Sequence, residues 1–425
     1  MDLQFSAADL AFAAEVRDWL HEHLTGRFAV LVGKGGSQNE EFYDLRVEWE
    51  RELHAGGWTG LGWPEQYGGR PATITQRVLF EYEYAKAGAP YRAGFQGTNL
   101  LGPTLIAHGS PEQKQRFLPR ILSGDEVWCQ GFSEPGAGSD LAGVQTRATL
   151  DGGEWVIDGQ KIWTSHAHQA DWIYVLARTD PAARRHRGLS MLLVPMRQPG
   201  IDVRPIMNLA GGDEFNEVFF TGARTERSLV VGERDQGWKV AMGTLEQERG
   251  VAMLGYQTQF EAEFAAALRR AHETGATAGA QLRQRLTESF IGLNVMRWDT
   301  LRMVTGLMRG NPGAATSLLK LSWPRWHQEL GEIEMDVLGA ASQVVGEDYE
   351  LDPLQRTYLL SRAETIYGGA QQIHLNIVAE RLLGLPRAPE PSRAAGLAGV
   401  DVWTVLLNQL YNNYHLTIFR SGSCR

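Results

Sequence analysis

The sequence predicts an α+β chain in three parts. Residues 1–125 are helical, 126–235 are β-rich and 236–387 are helical again, followed by a tail at 388–425. Two observations carry this. Apolar residues recur at spacings of three and four in the outer parts, and short runs of β-type residues broken by Gly, Asp and Pro fill the middle. The strands are segregated rather than alternating with helices, which argues against an alternating parallel sheet.

Each element has its own signal. "SAADLAFAAEVRDWLHEHL" opens with a serine cap, and "TITQRVLFEYEYAKAG" has helical spacing. "GSPEQKQRFLPRILSG" adds a serine cap, a proline in the first turn and a closing glycine. "EWVIDGQKIWTSH", "DWIYVLART", "LSMLLVPM" and "NEVFFTGARTE" read as strands. From about residue 236 the helical pattern returns in "VAMLGYQTQFEAEFAAALRRAHE", "QLRQRLTESFIGLNVMRWDTLRMVTGLMRG" and "SLLKLSWPRWHQELGEIEMDVLGAA". "ETIYGGAQQIHLNIVAERLLGLPR" (364–387) reads as an amphipathic helix entered through Tyr367-Gly368-Gly369.

The bulk properties are those of an ordinary globular protein. The 425 residues are 43% hydrophobic and 21% charged, enough for two or three packed units. A net charge of −9 gives no general reason to bind nucleic acid, although a local basic pocket for a phosphorylated ligand is compatible with it. Two cysteines, Cys129 and Cys424, provide neither a disulfide framework nor a cysteine metal site. The N-terminus lacks the basic start and apolar run of a secretory signal, and no stretch has the length of a membrane span. The expectation is a soluble, cytoplasmic protein without a bound metal.

The most informative stretch is "VWCQGFSEPGAGSDLAG" (127–143). Gly136 and Gly138 bracket a small residue, so backbone N–H groups there can close on an anion such as a pyrophosphate. The spacing is not that of a dinucleotide-binding GxGxxG turn, and no βαβ unit surrounds it. With "GQKIWTS" (159–165) following, and with "PEQYGG", "GSPEQKQRFLPRILSG", "GWKVAMGTLEQER" and "GGAQQIHLNIVAERLLGLP" in the same order, the chain resembles the acyl-CoA dehydrogenase family from about residue 6 to 387.

That resemblance implies an N-terminal α-helical domain, a middle β-barrel domain and a C-terminal four-helix bundle. It also implies FAD as cofactor, an acyl-CoA substrate and an electron-transfer flavoprotein as acceptor. Phe132, Ser133, Gly138 and Ser139 would line the isoalloxazine and pyrophosphate, and Trp163 and Ser165 would stand at the flavin edge. The implied reaction removes a proton from Cα while hydride leaves Cβ, so a carboxylate must serve as base, because an α-proton beside a thioester is only weakly acidic.

In many members that glutamate directly follows the tyrosine matching Tyr367, but here the position is Gly368. A subset of the family places the base on the first helix of the C-terminal bundle, just before an arginine, and Glu248-Arg249 matches that pattern. Glu246 is the rival, and two residues along a helix point about 200° apart, so only one of the two can face the site. Arg249 would hold CoA phosphates or balance the site's charge. The Gly368 N–H would remain as a donor to the thioester oxygen, a role that needs no side chain.

The chain departs from the family in lacking the Arg-x-x-Phe-Gly segment that reaches a neighbouring subunit's FAD. Arg283 and Arg285 are the basic residues in the matching region. The pattern resembles actinobacterial-type members, some acting on steroid or other bulky acyl-CoAs and some forming mixed tetramers. A homotetramer or mixed tetramer is therefore expected. Two other readings stand beside the dehydrogenase: an accessory subunit without catalysis, and an oxygen-using acyl-CoA oxidase or flavin monooxygenase of the same fold. The aromatic tail at 388–425 carries no readable motif, and a covering arm and a shifted reading frame both fit it.

Overall fold

Four helices are started by side chains that satisfy otherwise unpaired N–H groups. In each, the cap accepts a hydrogen bond from the first turn and the third helical residue reaches back to the cap. The pairs are Ser6 with Asp9, Thr73 with Gln76, Ser110 with Gln113 and Asp352 with Gln355. The computed structural model describes residues 5–34, 41–248, 253–309 and 315–386, without the side chains at 247–248, 253–255, 307–308 and 315–316.

The N-terminal helices are α1 (Ala7–His23), α2 (Tyr43–Ala55), α3 (Ile74–Lys86), α4 (Gly102–His108) and α5 (Pro111–Ser123). A π-helical stretch, Gln96–Leu101, runs directly into α4. Phe12, Val16, Leu20, Trp49, Leu53, Trp58 and Phe80 make the core between α1, α2 and α3.

Eight strands form one mixed sheet: β1 (Trp128–Gly131), β2 (Arg147–Asp151), β3 (Glu154–Ser165), β4 (Trp172–Arg178), β5 (Leu189–Pro195), β6 (Ile201–Ile206), β7 (Phe215–Glu226) and β8 (Val230–Val231). Their order is β6-β7-β3-β2-β4-β5-β8, with β1 pairing parallel to β4. The sheet curls over itself: Ile173, Val175, Leu192 and Val194 from β4 and β5 share a core with Ile157, Val218 and Phe220 from β3 and β7. Thr225 Oγ1 also donates across to Leu193 O at 2.6 Å. The alternate residues Trp172, Tyr174, Leu176, Met191 and Leu193 face outward, packing on Leu105, Phe117 and Ile121 of the N-terminal helices. This period of two explains why β4 and β5 read as almost unbroken apolar runs, since both faces are covered.

The C-terminal part contains α6 (Gly237–Glu248), α7 (Met253–Glu273), α8 (Ala280–Met308), α9 (Ala315–Leu338), α10 (Pro353–Ser361) and α11 (Gln371–Ile377). Phe260, Phe264, Leu293, Trp323, Trp326, Leu330 and Ile333 form the bundle core. The helix expected through 364–387 is shorter than its pattern: α11 ends at Ile377 and passes into a π-helical turn, Val378–Leu382. Residues 379–386, the last that are described, belong to a second unit of the chain. The 388–425 tail lies outside the described residues, as does Cys424, whereas Cys129 is a free, buried thiol.

Candidate active site

The two glycine-containing motifs, nearly thirty residues apart in sequence, are bonded into one surface. After β1 the chain turns through Glu134-Pro135-Gly136-Ala137, closed by hydrogen bonds in both directions between Glu134 and Ala137 at 3.1 and 2.9 Å. The β3–β7 ladder shifts register between Lys161 and Thr164. In that break, Ile162 N donates to Ser133 O at 3.0 Å instead.

Lys161 secures the junction. Its side chain is fully buried, and its Nζ donates to Phe132 O at 3.0 Å, Glu134 Oε1 at 2.8 Å and Leu176 O at 2.7 Å. Glu134 accepts as well from Gln145 N at 2.6 Å and Thr146 N at 2.8 Å. Burial alone would raise the Glu134 pKa, but the Lys161 ammonium and these donors outweigh it and hold the carboxyl below its usual range. Burial pushes Lys161 down to about 8 against the pull of Glu134, which leaves it protonated at pH 7. Neither residue stood out in the sequence. The available signal was a lysine and a glutamate inside the two motifs, both in otherwise β-type surroundings.

Trp163 sits in the register break with φ of +59° and is 57% exposed. A bulky residue in the left-handed region is a strained exception that its surroundings must impose. Its indole meets Phe215 edge-on at 6.0 Å. It is not a core tryptophan. Ser165, paired with Phe215 in the ladder, and Ser133 are half-buried, while Ser139 is exposed. Phe132 is buried, its ring edge-on to Tyr174 at 5.7 Å, and Tyr174 in turn donates to Gln96 Oε1 at 3.0 Å. This chain of contacts ties the site to the π-helical stretch, a distortion often found at functional sites.

Gly136 and Gly138 supply the fit test for a phosphate-bearing cofactor. A Cβ at either would meet no atom of the chain within 4 Å, and neither has positive φ. Neither internal packing nor backbone conformation calls for glycine at these two positions. Close approach of an outside group does, and a pyrophosphate is such a group.

Helix α6 is held against β5 and the π-helical stretch. A Cβ on Gly237 would lie 2.5 Å from Ser190 backbone atoms, so only glycine lets the helix start so near β5. Val240 and Ala241 enter the core, and the hydroxyls of Thr244 and Thr104 are 2.9 Å apart. Glu246 is exposed, and Glu248 is the last residue of α6. The Glu248 side chain and the whole of Arg249 lie outside the described residues.

Gly368 and Gly369 have φ of +61° and +92°. The Gly368 N–H donates to no described backbone group. A Cβ at Gly369 would come within 2.8 Å of His374 Nε2. Arg283 and Arg285 serve the bundle itself. Arg283 Nη1 donates to Thr277 O and Ala278 O, both at 2.8 Å, and Arg285 pairs with Asp336. No group of His, Cys, Asp and Glu suited to a metal occurs among the described residues, and none of their helices is long and apolar enough to cross a membrane.

Comparison with known proteins gives matches to three family models in chain order. They are the acyl-CoA dehydrogenase N-terminal domain over residues 6–125, the middle domain over 129–223 and the C-terminal domain over 235–383. The chain is 51% identical over 377 residues to acyl-CoA dehydrogenase IpdE1 of Mycobacterium tuberculosis, covering 88% of this chain and 97% of the relative. Among solved structures, the Tcur3481-Tcur3483 steroid ACAD is similar at 32% identity with a TM-score of 0.80, over 91% of this chain and all of that one. The ChsE4-ChsE5 complex from Mycobacterium tuberculosis is similar at 28% identity and a TM-score of 0.75, again over 91% of this chain and all of that one.

Proposed function

Because the chain belongs to the acyl-CoA dehydrogenase family of FAD-using oxidoreductases, we propose that it binds FAD and converts a bulky, steroid-type acyl-CoA to its trans-2-enoyl thioester. The observation that carries this reading is the joined surface of the two motifs. Lys161, Ser133 and Ile162 lock them together, with a strained, exposed Trp163 on one side and the open Gly136-Ala137-Gly138 turn on the other. When bound, FAD supplies the acceptor for the hydride that leaves Cβ.

The chain's own residues supply the rest. The N–H groups of Gly136, Gly138 and Ser139 and the Ser133 and Ser139 hydroxyls hold the cofactor, and Trp163 and Ser165 flank its reactive edge. Glu248 takes the α-proton. In support, position 248 stands one helical turn beyond buried Thr244, whereas Glu246 is exposed to solvent. Arg249 offers its charge to the CoA phosphates. The Gly368 N–H donates to the thioester oxygen as it gains charge, which makes the α-proton more acidic.

The steroid-type substrate rests on the similarity to the steroid ACAD. Two of the similar structures carry paired chain names, which favours a mixed assembly with a second acyl-CoA dehydrogenase chain over a homotetramer. An electron-transfer flavoprotein as acceptor and a cytoplasmic setting belong to the same proposal. The test is anaerobic mixing of the FAD-loaded protein, alone and with candidate partner chains, against straight-chain, branched and steroid acyl-CoAs. Bleaching of the flavin followed by slow reoxidation in air supports a dehydrogenase, and rapid reoxidation with peroxide release points to an oxidase. An FAD-loaded assembly that no acyl-CoA bleaches would leave the accessory role.

A further inference from the structure

Four charged side chains meet inside the C-terminal bundle, at the base of the Tyr367-Gly368-Gly369 turn. Both carboxylate oxygens of Glu364 lie close to His327 Nδ1, at 2.9 and 2.8 Å. The other ring nitrogen, Nε2, is 2.8 Å from Glu263 Oε2 on α7. A carboxylate beside each ring nitrogen stabilises the doubly protonated ring, so His327 is an imidazolium. It hydrogen-bonds Glu364 through Nδ1 and pairs with Glu263 by charge at Nε2, where the contact is close but not aligned as a hydrogen bond. Lys320, also on α9, donates from Nζ to Glu364 O at 3.0 Å. The same ammonium sits 4.9 Å from the Tyr367 ring centre and 4.7 Å from that of Trp323.

The charges in this cluster balance. His327 and Lys320 oppose Glu263 and Glu364. The neighbouring carboxyl of Glu334 on α9 is raised to about 9 by burial and by the charge of Glu263, so it is neutral at pH 7. Asp352, which acts on Glu334 more weakly, is paired with Arg270 at 2.6 Å.

Stability is a poor reason for such a cluster, since well-packed apolar replacements of buried ion pairs are often neutral or stabilising. Its geometric effect is local. It grips Glu364 by both side chain and carbonyl, and it places a cation against Tyr367. Three residues later, Tyr367 N donates to Ala363 O at 3.0 Å, and Gly369 then backs onto the buried His374. Between these two fixed points lies the Gly368 N–H.

We propose that Glu263, His327, Glu364 and Lys320 form a positioning network that holds the 364–369 turn, so that the Gly368 N–H is presented to the acyl carbonyl in a single orientation. This rests on Gly368 serving as the donor to the thioester. Reaction rate depends on such pre-set donors because they need no reorganisation when charge develops.

The test uses the full-length, FAD-loaded protein, alone and in the assembly with each candidate partner chain, and two variants, His327→Gln and Lys320→Met. Lys320→Met removes only the ammonium and leaves the His327 contacts intact, so it carries the test should His327→Gln fail to fold. Amide hydrogen exchange is read without ligand over residues 361–377, with α8 as the internal reference. Exchange of the turn should quicken at least about tenfold in the variants while α8 is unchanged. With whichever acyl-CoA bleaches the parent flavin fastest, the saturated rate should fall about tenfold or more, and the half-saturating concentration should change little. Unchanged exchange in the turn overturns the network whatever the activity, and so does quickened exchange with an unchanged saturated rate. Failure of every acyl-CoA to bleach the parent overturns the dehydrogenase reading and this inference with it, whereas failure confined to the variants' readouts overturns the network alone.

Discussion

Lys161 Nζ lies 2.8 Å from Glu134 Oε1, and this buried pair joins the strand carrying Trp163 to the turn carrying Gly136 and Gly138. Removing one partner of such a pair leaves an uncompensated buried charge, at a typical cost of about 3–5 kcal/mol. Lys161→Met should therefore lower the melting temperature sharply and abolish FAD uptake, while Lys161→Met combined with Glu134→Gln recovers part of the stability. Differential scanning fluorimetry and a flavin titration check both.

Gly138→Ala separates cofactor fit from folding. The added Cβ meets no atom of the chain and requires no positive φ. The apo-protein should melt within about a degree of the parent, a shift well below the 2–4 °C expected per kcal/mol for a large domain. FAD affinity should drop at least about tenfold, because the pyrophosphate loses its close approach to the backbone. An unchanged FAD affinity would remove the turn from the cofactor site.

Glu248→Gln should cut the rate of flavin bleaching by at least about a hundredfold, the lower end of general-base contributions and roughly 3 kcal/mol of barrier. FAD content and acyl-CoA affinity should hardly change. Glu246→Gln should be silent, in keeping with its exposure. Stopped-flow measurement of both variants decides between the two carboxylates, and a parental rate in Glu248→Gln would send the base elsewhere.

A glutamate placed at position 368 is one route to restoring the base in the Glu248→Gln background, since many family members carry one there. The backbone argues against it: Gly368 has φ of +61°, a conformation costing other residues about 1–2 kcal/mol. Gly368→Glu should destabilise the protein by that order and return little of the lost rate. Denaturant melts and the same bleaching assay test this.

The bundle should lose stability on the alkaline side. Burial works against the His327 imidazolium, but hydrogen bonding to Glu364 and the charges of Glu263 and Glu364 outweigh it and push the group up to about 10. A folded-state value above the unfolded one means the contribution is whole below about 6.5 and is lost as pH rises through 10. Glu334, raised to about 9, acts in the same direction, its contribution fading from its ordinary value near 4.5 upward. Urea midpoints should fall steadily between pH 6.5 and 10, and His327→Gln should flatten that slope.

Local patterns were enough for the three-part order, the capped helices and the main strands. Caps, periods of two and of 3.6, and breakers act over a few residues, so the caps at Ser6 and Ser110, the helical spacing after Thr73 and the runs along β4 and β5 were legible directly, whereas the Thr73 cap was not singled out. The motifs around Gly138 and Trp163, and the Gly368 substitution read against Glu248, named candidate residues in the same way. Only the tertiary structure decided how they are held. Lys161 reaches Glu134 across a strand break, and His327 reaches Glu263 on one side and Glu364 on the other. Charged side chains reveal buried pairing only once distant segments have closed around them, because a lone Lys or His in sequence has the same composition whether it faces water or a carboxylate. The helix expected through 364–387 fell short: its apolar spacing continues past Ile377, but the backbone there widens into a π-turn, whose i→i+5 bonding a spacing of three and four does not distinguish from an α-helix.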